Sequence, residues 1–215
     1  MKITFIVSSA SHPINPTVER WVEESANIHD CEIIRDPQVC SGGDICFLVS
    51  CTSVVPSSII ERYKKVLVIH ASDLPKGRGW SPHVYGLLNG DDELCISLIE
   101  ADAPVDTGVI WTQIRRALLP FYTLKDVMEI LSEAHLELFN FAIERFGSVQ
   151  PLPQCSEIEP TYFKRRTPAD SELDINKTIS EQFNLMRAAD PNRFPAFFYM
   201  YGKKFTLKLE RVEDE

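Results

Sequence analysis

The chain has no uncharged run long enough to span a bilayer. Its amino-terminal apolar stretch, ending at Val7, is broken at once by Ser8, Ser9, Ser11, His12 and Pro13. Neither a signal peptide nor a membrane anchor is expected, and the chain reads as cytoplasmic. No CxxC pair occurs among the six cysteines (Cys31, Cys40, Cys46, Cys51, Cys95 and Cys155), and no spacing suits zinc. Several lie inside apolar runs, where cysteine acts as a small hydrophobe, so free thiols and no bound metal are expected. Positive charge is in deficit. A net charge of −9 argues against a large nucleic-acid surface, because phosphate binding depends on clustered Lys and Arg. Local basic groups remain, Lys76 with Arg78 and Lys164 with Arg165 and Arg166, and they suit a small anionic ligand.

Several signature motifs are also missing. A dinucleotide-binding domain would carry GxGxxG after its first strand, but here that turn is Ser8-Ser9-Ala10-Ser11-His12-Pro13, without glycine. There is no GxxxxGK[ST] phosphate loop, no GxSxG nucleophile elbow and no HExxH metal helix. Internal repeats and low-complexity tracts are absent as well.

With 215 residues, 44% of them apolar and 25% charged, the chain can bury one sizeable core, or a main domain with an appendage. Strand candidates at Lys2–Val7, Cys31–Ile34, Ile45–Ser50, Val66–Ile69, Leu94–Ile99 and Val109–Gln113 alternate with short helices. The helices are expected from Asn15, as N-cap, to His29, from Pro56 to about Lys64, and from Ser81 to about Asn89. This order predicts an α/β, Rossmann-like wound sheet. The clearest helix runs from about Thr123 to Phe146, with Thr123 and Asp126 as a capping box, an apolar stripe through Leu131 and Leu138, and Gly147 as its stop. His135 on this helix reads as a surface or core-edge histidine without function. Beyond a linker at Val149–Gln154, a basic turn, a helix at about Ile175–Ala188 and two strands at Ala196–Met200 and Lys204–Leu209 form a short α+β extension. The expected division is a core over 1–150 and a docked extension over 151–215.

His70 is the first candidate for proton chemistry. It closes the apolar run Val66–Ile69 and opens a loop rich in turn residues and charge, at the strand end where ligands gather in wound sheets. A second loop, Glu100–Gly108, carries carboxylates able to orient a histidine, with Asp106 the candidate and a turn-forming role its competitor.

His70-Ala71-Ser72-Asp73-Leu74-Pro75, then Arg78-Gly79-Trp80-Ser81-Pro82, and later Val105-Asp106-Thr107-Gly108, together resemble the signature of the folate-dependent formyltransferases. That family includes methionyl-tRNA formyltransferase, glycinamide ribonucleotide formyltransferase and the sugar N-formyltransferases. Gly43–Cys51 resembles the strand and loop that hold the pterin, and Tyr162–Asn176 with Phe194–Lys208 resembles the tail of the sugar-modifying branch. The resemblance implies transfer of a formyl group from 10-formyltetrahydrofolate to an amine, with His70 and Asp106 as catalytic residues. It places the folate against Ser50, Cys51, Val54, Val55 and Asp102. The family's asparagine, two residues before the histidine, falls on Val68, where this chain departs from the pattern.

On this reading His70, held protonated by Asp106, meets the developing oxyanion, and Asp106 accepts the amine proton. A missing oxyanion donor costs roughly 10²–10³ in rate. Val68 therefore leaves two outcomes open, an enzyme with a substitute donor or a binding protein that kept the scaffold. A methionyl-tRNA formylating enzyme is a third reading, against which stand the short tail and the negative charge. A nucleotide-linked amino sugar fits better. Lys76, Arg78, Arg165 and Arg166 would meet phosphate and Trp80 would wall the sugar, while Phe197, Phe198, Tyr199 and Tyr201 would stack a base. Loop anchoring by Trp80 and simple apolar docking by the aromatics are the competing roles. The sugar branch also implies a homodimer.

Overall fold

A computed structural model describes residues 1–52 and 54–212. Its centre is a six-stranded sheet in the order β2-β1-β3-β4-β6-β7. The strands are β1 (Lys2–Ile6), β2 (Asp30–Ile34), β3 (Gly43–Leu48), β4 (Tyr63–His70), β6 (Glu93–Glu100) and β7 (Ile110–Ala117). A two-residue strand, β5 (Arg78–Gly79), stands outside the sheet. The helices between them are α1 (Asn15–Ser25), α2 (Ser57–Ile60) and α3 (Pro82–Asn89), with α4 (Leu124–Glu144) after β7. The carboxyl-terminal part adds β8 (Tyr162–Phe163), α5 (Ile179–Arg187) and the hairpin β9 (Ala196–Met200) with β10 (Lys203–Leu207). This is the wound α/β sheet expected of the alternating pattern.

β1 to β4 pair in parallel, which brings the ends of β1, β3 and β4 to one edge. β6 then runs antiparallel to β4, with His70 opposite Ser97. Side chains alternate across a strand, so Val66, Val68 and His70 share one face of β4 while Leu67 and Ile69 take the other. The Leu67 face meets α1 and α4 in the main core, where Phe5, Phe47, Phe139 and Trp21 pack ring against ring. The opposite face carries a smaller cluster of Ile6, Cys46, Leu48, Val55, Ile59 and Val66.

Several boundaries differ from the sequence expectation, each for a local reason. Asn15 is not a cap. Its amide turns back to donate to the carbonyls of Ser9, Ala10 and His12 at 2.9, 3.1 and 2.8 Å, and α1 starts behind Ile14. α1 stops at Ser25 rather than His29, because the chain must turn there to pair Asp30 with Lys2. α2 ends at Ile60, since Tyr63 to Lys65 are drawn into β4 by pairing with β3. β7 runs on to Ala117, where Arg115 reaches Glu93 and Asp73. α5 begins at Ile179 behind a Thr178–Glu181 capping box.

The extension is tied into the core rather than laid over it. Arg187 is buried at 3% exposure, and its guanidinium donates to the carbonyls of Leu87, Leu119, Pro120 and Tyr122. Phe197 is buried while Tyr199 and Tyr201 are exposed, so the aromatic series does not form one surface. Among the described residues no helix is long and apolar enough to cross a membrane.

His135 sits inside the core, not at its edge. Its Nδ1 donates to the Leu131 carbonyl at 2.6 Å and its ring lies edge-on to Phe139. Burial pushes its pKa from 6.5 down to about 4, so it is neutral in the folded protein. The unfolded chain takes up the proton below pH 6.5 and the folded one resists until about pH 4, so stability is complete above that window and is lost through it. Urea unfolding followed from pH 7 to 4 is expected to show this acid slope, and His135→Leu to flatten it by on the order of 2–3 kcal/mol. An unchanged slope in the variant would contradict the assignment.

Candidate active site

β4 delivers His70 to the sheet edge, almost fully buried at 7% exposure. The following loop folds back on it. His70 Nε2 lies 2.9 Å from the carbonyl oxygen of Gly77. A carbonyl only accepts, so Nε2 carries a hydrogen and Nδ1 is the ring nitrogen left facing outward from that bond. Nδ1 faces Asp106, whose Oδ1 is 3.7 Å away. That is too long for a direct hydrogen bond, so the carboxylate acts on the ring through its charge.

Asp106 is held as closely as the histidine. It is 8% exposed and adopts a left-handed backbone with φ of 62°, a region that Asp tolerates better than most side chains. Its Oδ2 accepts from the Gly79 N–H at 2.8 Å, which leaves Oδ1 turned to the ring. The turn then continues through Gly108, where a Cβ would stand 1.8 Å from the Glu100 carbonyl oxygen. Glycine is required there by contact.

The histidine loop is closed from the other side by the chain after α4. Gly77 N donates to Thr161 Oγ1 at 2.8 Å, and β5 pairs with β8 in parallel, Arg78 opposite Tyr162 and Gly79 opposite Phe163. A Cβ on Gly79 would lie 2.5 Å from the Phe163 carbonyl oxygen, so this approach also needs glycine. Phe163 stacks on Tyr85 with centroids 4.1 Å apart. Gln154, in the segment read from sequence as a plain linker, donates to the carbonyls of Asp106 and Gly108 and accepts from Arg78. Gln154 and Thr161 carry no motif signal, being polar residues without periodicity, and Phe163 is visible only as part of the Tyr162–Asn176 resemblance.

The other expected site residues separate into groups. Arg78, half-buried, donates to Gln154 at 2.5 Å and to Tyr162 at 3.0 Å. Lys76 is exposed on the same loop. Trp80, 36% exposed, lies under the Arg165 guanidinium at 4.8 Å, while Arg166 binds the Asp170 carbonyl. On the other side, Cys51, Val55, Val68 and Ala101 meet in the smaller apolar cluster, on the sheet face that His70 shares. Ser50, Val54 and Asp102 are exposed, with Ser50 at a φ of 49°. The Asp102 carboxylate accepts from the Ala103 N–H. Val68, two residues before His70, packs into this apolar cluster. Among the described residues no group of three or more His, Cys, Asp or Glu could hold a metal.

The contact at Gly108 makes a stability prediction. Gly108→Ala would force the Asp106 turn away from Glu100 and is expected to cost roughly 1–3 kcal/mol. Thermal unfolding measures this; a variant as stable as the parent would contradict the close approach.

Comparison with known proteins agrees with this architecture. Methionyl-tRNA formyltransferase from Clostridium thermocellum superposes with a TM-score of 0.83 at 19% identity, over 99% of this chain and 94% of that one. A sugar N-formyltransferase from Shewanella gives 0.75 at 17% identity, over 99% of both chains. HypX from Aquifex aeolicus, solved with tetrahydrofolic acid, gives 0.80 at 19% identity, over 97% of this chain and 37% of that one. At these identities the superpositions establish the fold. Residues 8–143, well over half of the chain and inclusive of His70, Asp106 and Gly108, match the family described as formyl transferase, and the protein belongs to that family of one-carbon transfer enzymes.

Proposed function

We propose that the protein transfers a formyl group from 10-formyltetrahydrofolate to the amine of a nucleotide-linked amino sugar, in the cytoplasm and as a homodimer. The observation that carries the reading is the buried pair of His70 and Asp106, with Nε2 fixed on Gly77 and Oδ2 fixed on Gly79. Both groups are held by their far atoms, so Nδ1 and Oδ1 are the atoms offered to a substrate. The amine nitrogen bonds to the formyl carbon and gives a proton to Asp106 Oδ1, while His70, carrying a proton on both ring nitrogens, donates from Nδ1 to the oxygen on which charge develops. The carbonyl re-forms as the bond from the formyl carbon to the folate nitrogen breaks, and that nitrogen takes up the proton and leaves as tetrahydrofolate. Buried, preorganised groups perform this with little reorganisation, which is where their rate advantage comes from.

The donor supplies the activated formyl group. The edge of the apolar cluster at Cys51, Val55 and Val68, on the face of His70, suits a flat pterin, with Ser50, Val54 and Asp102 at its rim. Lys76 and Arg165 are the exposed cations suited to a pyrophosphate, and Trp80 offers a ring face beside them. Residues 1–150 are read as the catalytic core and 151–215 as an extension that contributes to the acceptor side.

The test is to incubate the protein with 10-formyltetrahydrofolate and a panel of UDP- and dTDP-linked amino sugars, with methionyl initiator tRNA as the rival acceptor. Formylated product is read by mass spectrometry. Turnover of an amino sugar is expected, and His70→Ala should lower it roughly 10²–10⁴-fold. Formylation of the tRNA alone, or an unchanged rate in His70→Ala, would reject the reading.

Val68 supports a second reading, a folate or nucleotide-sugar binding protein without turnover, because its side chain packs on the apolar cluster where an oxyanion donor is expected. Under this reading Val68→Asn creates or raises activity. Clear turnover by the parent protein excludes it.

A further inference from the structure

Gln154 lies beyond the residues that match the family, yet its side chain joins both loops of the site. Its segment is anchored beside β7, where Leu152 and Ile110 exchange N–H···O bonds of 2.7 and 2.9 Å. From there Gln154 Nε2 donates to the Asp106 carbonyl at 2.8 Å and to the Gly108 carbonyl at 3.1 Å. Its Oε1 accepts from Arg78 at 2.5 Å. Arg78 is followed by Gly79, whose N–H donates to Asp106 Oδ2 at 2.8 Å. The bonds close a ring: guanidinium to amide, amide to the Asp106 carbonyl, Asp106 carboxylate to the Gly79 N–H, and back along the chain to Arg78.

This ring meets a specific need. Asp106 sits at a φ of 62°, where a side chain other than glycine is held only if its surroundings fix it. Gln154 binds the carbonyls on both sides of Thr107 and so holds that backbone from outside the turn. The position needs two donated bonds and one accepted bond in the same side chain. An amide has both, a carboxylate has no donor at neutral pH, and a lysine or arginine has no acceptor and would repel Arg78. Asparagine is one methylene shorter.

We infer that Gln154 is a positioning residue for the site, fixing the Asp106 carboxylate against His70 by clamping the Asp106–Gly108 turn to Arg78. The inference rests on the formyl-transfer reading only for its kinetic arm. Its structural arm is the solvent exchange of the Gly79 amide, which donates to the carboxylate being positioned and needs no substrate.

Amide exchange is measured by NMR in the parent, in Gln154→Ala and in Gln154→Glu, the second keeping a partner for Arg78 while losing the donor. The expected result is that Gly79 exchanges at least tenfold faster in both variants while amides of β1 and β3 stay within twofold of the parent. With 10-formyltetrahydrofolate and the amino-sugar panel, kcat should fall roughly tenfold to a hundredfold, with KM for the donor within twofold. Unchanged Gly79 exchange in a folded variant overturns the inference. So does acceleration spread evenly over the sheet, which would make Gln154 a general stabilising residue. If the parent turns over no acceptor, the functional reading fails while the exchange comparison still decides the role of Gln154.

Discussion

One hydrogen bond, from the Gly79 N–H to Asp106 Oδ2 at 2.8 Å, ties the loop after β4 to the loop after β6. The two loops leave strands that run in opposite directions, so nothing in the sheet ladder alone brings them together. This bond removes one carboxylate oxygen from use and aims the other at His70. The glycines around it follow from the same requirement: Gly79 must let Phe163 approach and Gly108 must let Glu100 approach, or the carboxylate would stand elsewhere. A buried carboxylate near a buried imidazole is costly without such partners, and each has one.

Much of this was readable from the residues. His70 was legible because an apolar strand pattern ends there and turn chemistry begins, and α4 because its stripe and its Thr123–Asp126 box agree. Asp106 was legible only through its motif, since an acidic turn by itself is ordinary. What sequence reasoning missed are interactions between segments remote in the chain. Gln154 reads as linker because its role is a pair of carbonyls 46 and 48 residues away. The charge of Arg78 is visible in the sequence, and its bonds to Gln154 and Tyr162 are not. Asn15 has the composition of a helix cap, and only the loop packed before it shows that its amide is used backwards.

The two sides of His70 differ in character, and the difference bears on how the site divides its work. Toward Cys51, Val55 and Val68 the surface is apolar, and flat rings bind such a surface by area with little directional demand. Toward Lys76, Trp80 and Arg165 it is charged and exposed, where attraction is screened by salt and orientation depends on a few contacts. The histidine stands where these regimes meet. Val68, packed on the smaller cluster, belongs to the apolar side.

The pairing of β5 with β8 links two properties that could otherwise vary separately. The same few residues that seat Gly77 and Gly79 under the histidine lead directly into Lys164 and Arg165, the second of which rests on Trp80. Any change that re-shapes the chain around Trp80 and Arg165 therefore pulls on the backbone that seats His70 and Asp106. Substitutions along this segment are constrained to those that leave the backbone of the β5–β8 pair in register, and the side chains that point away from that pair are the ones free to change.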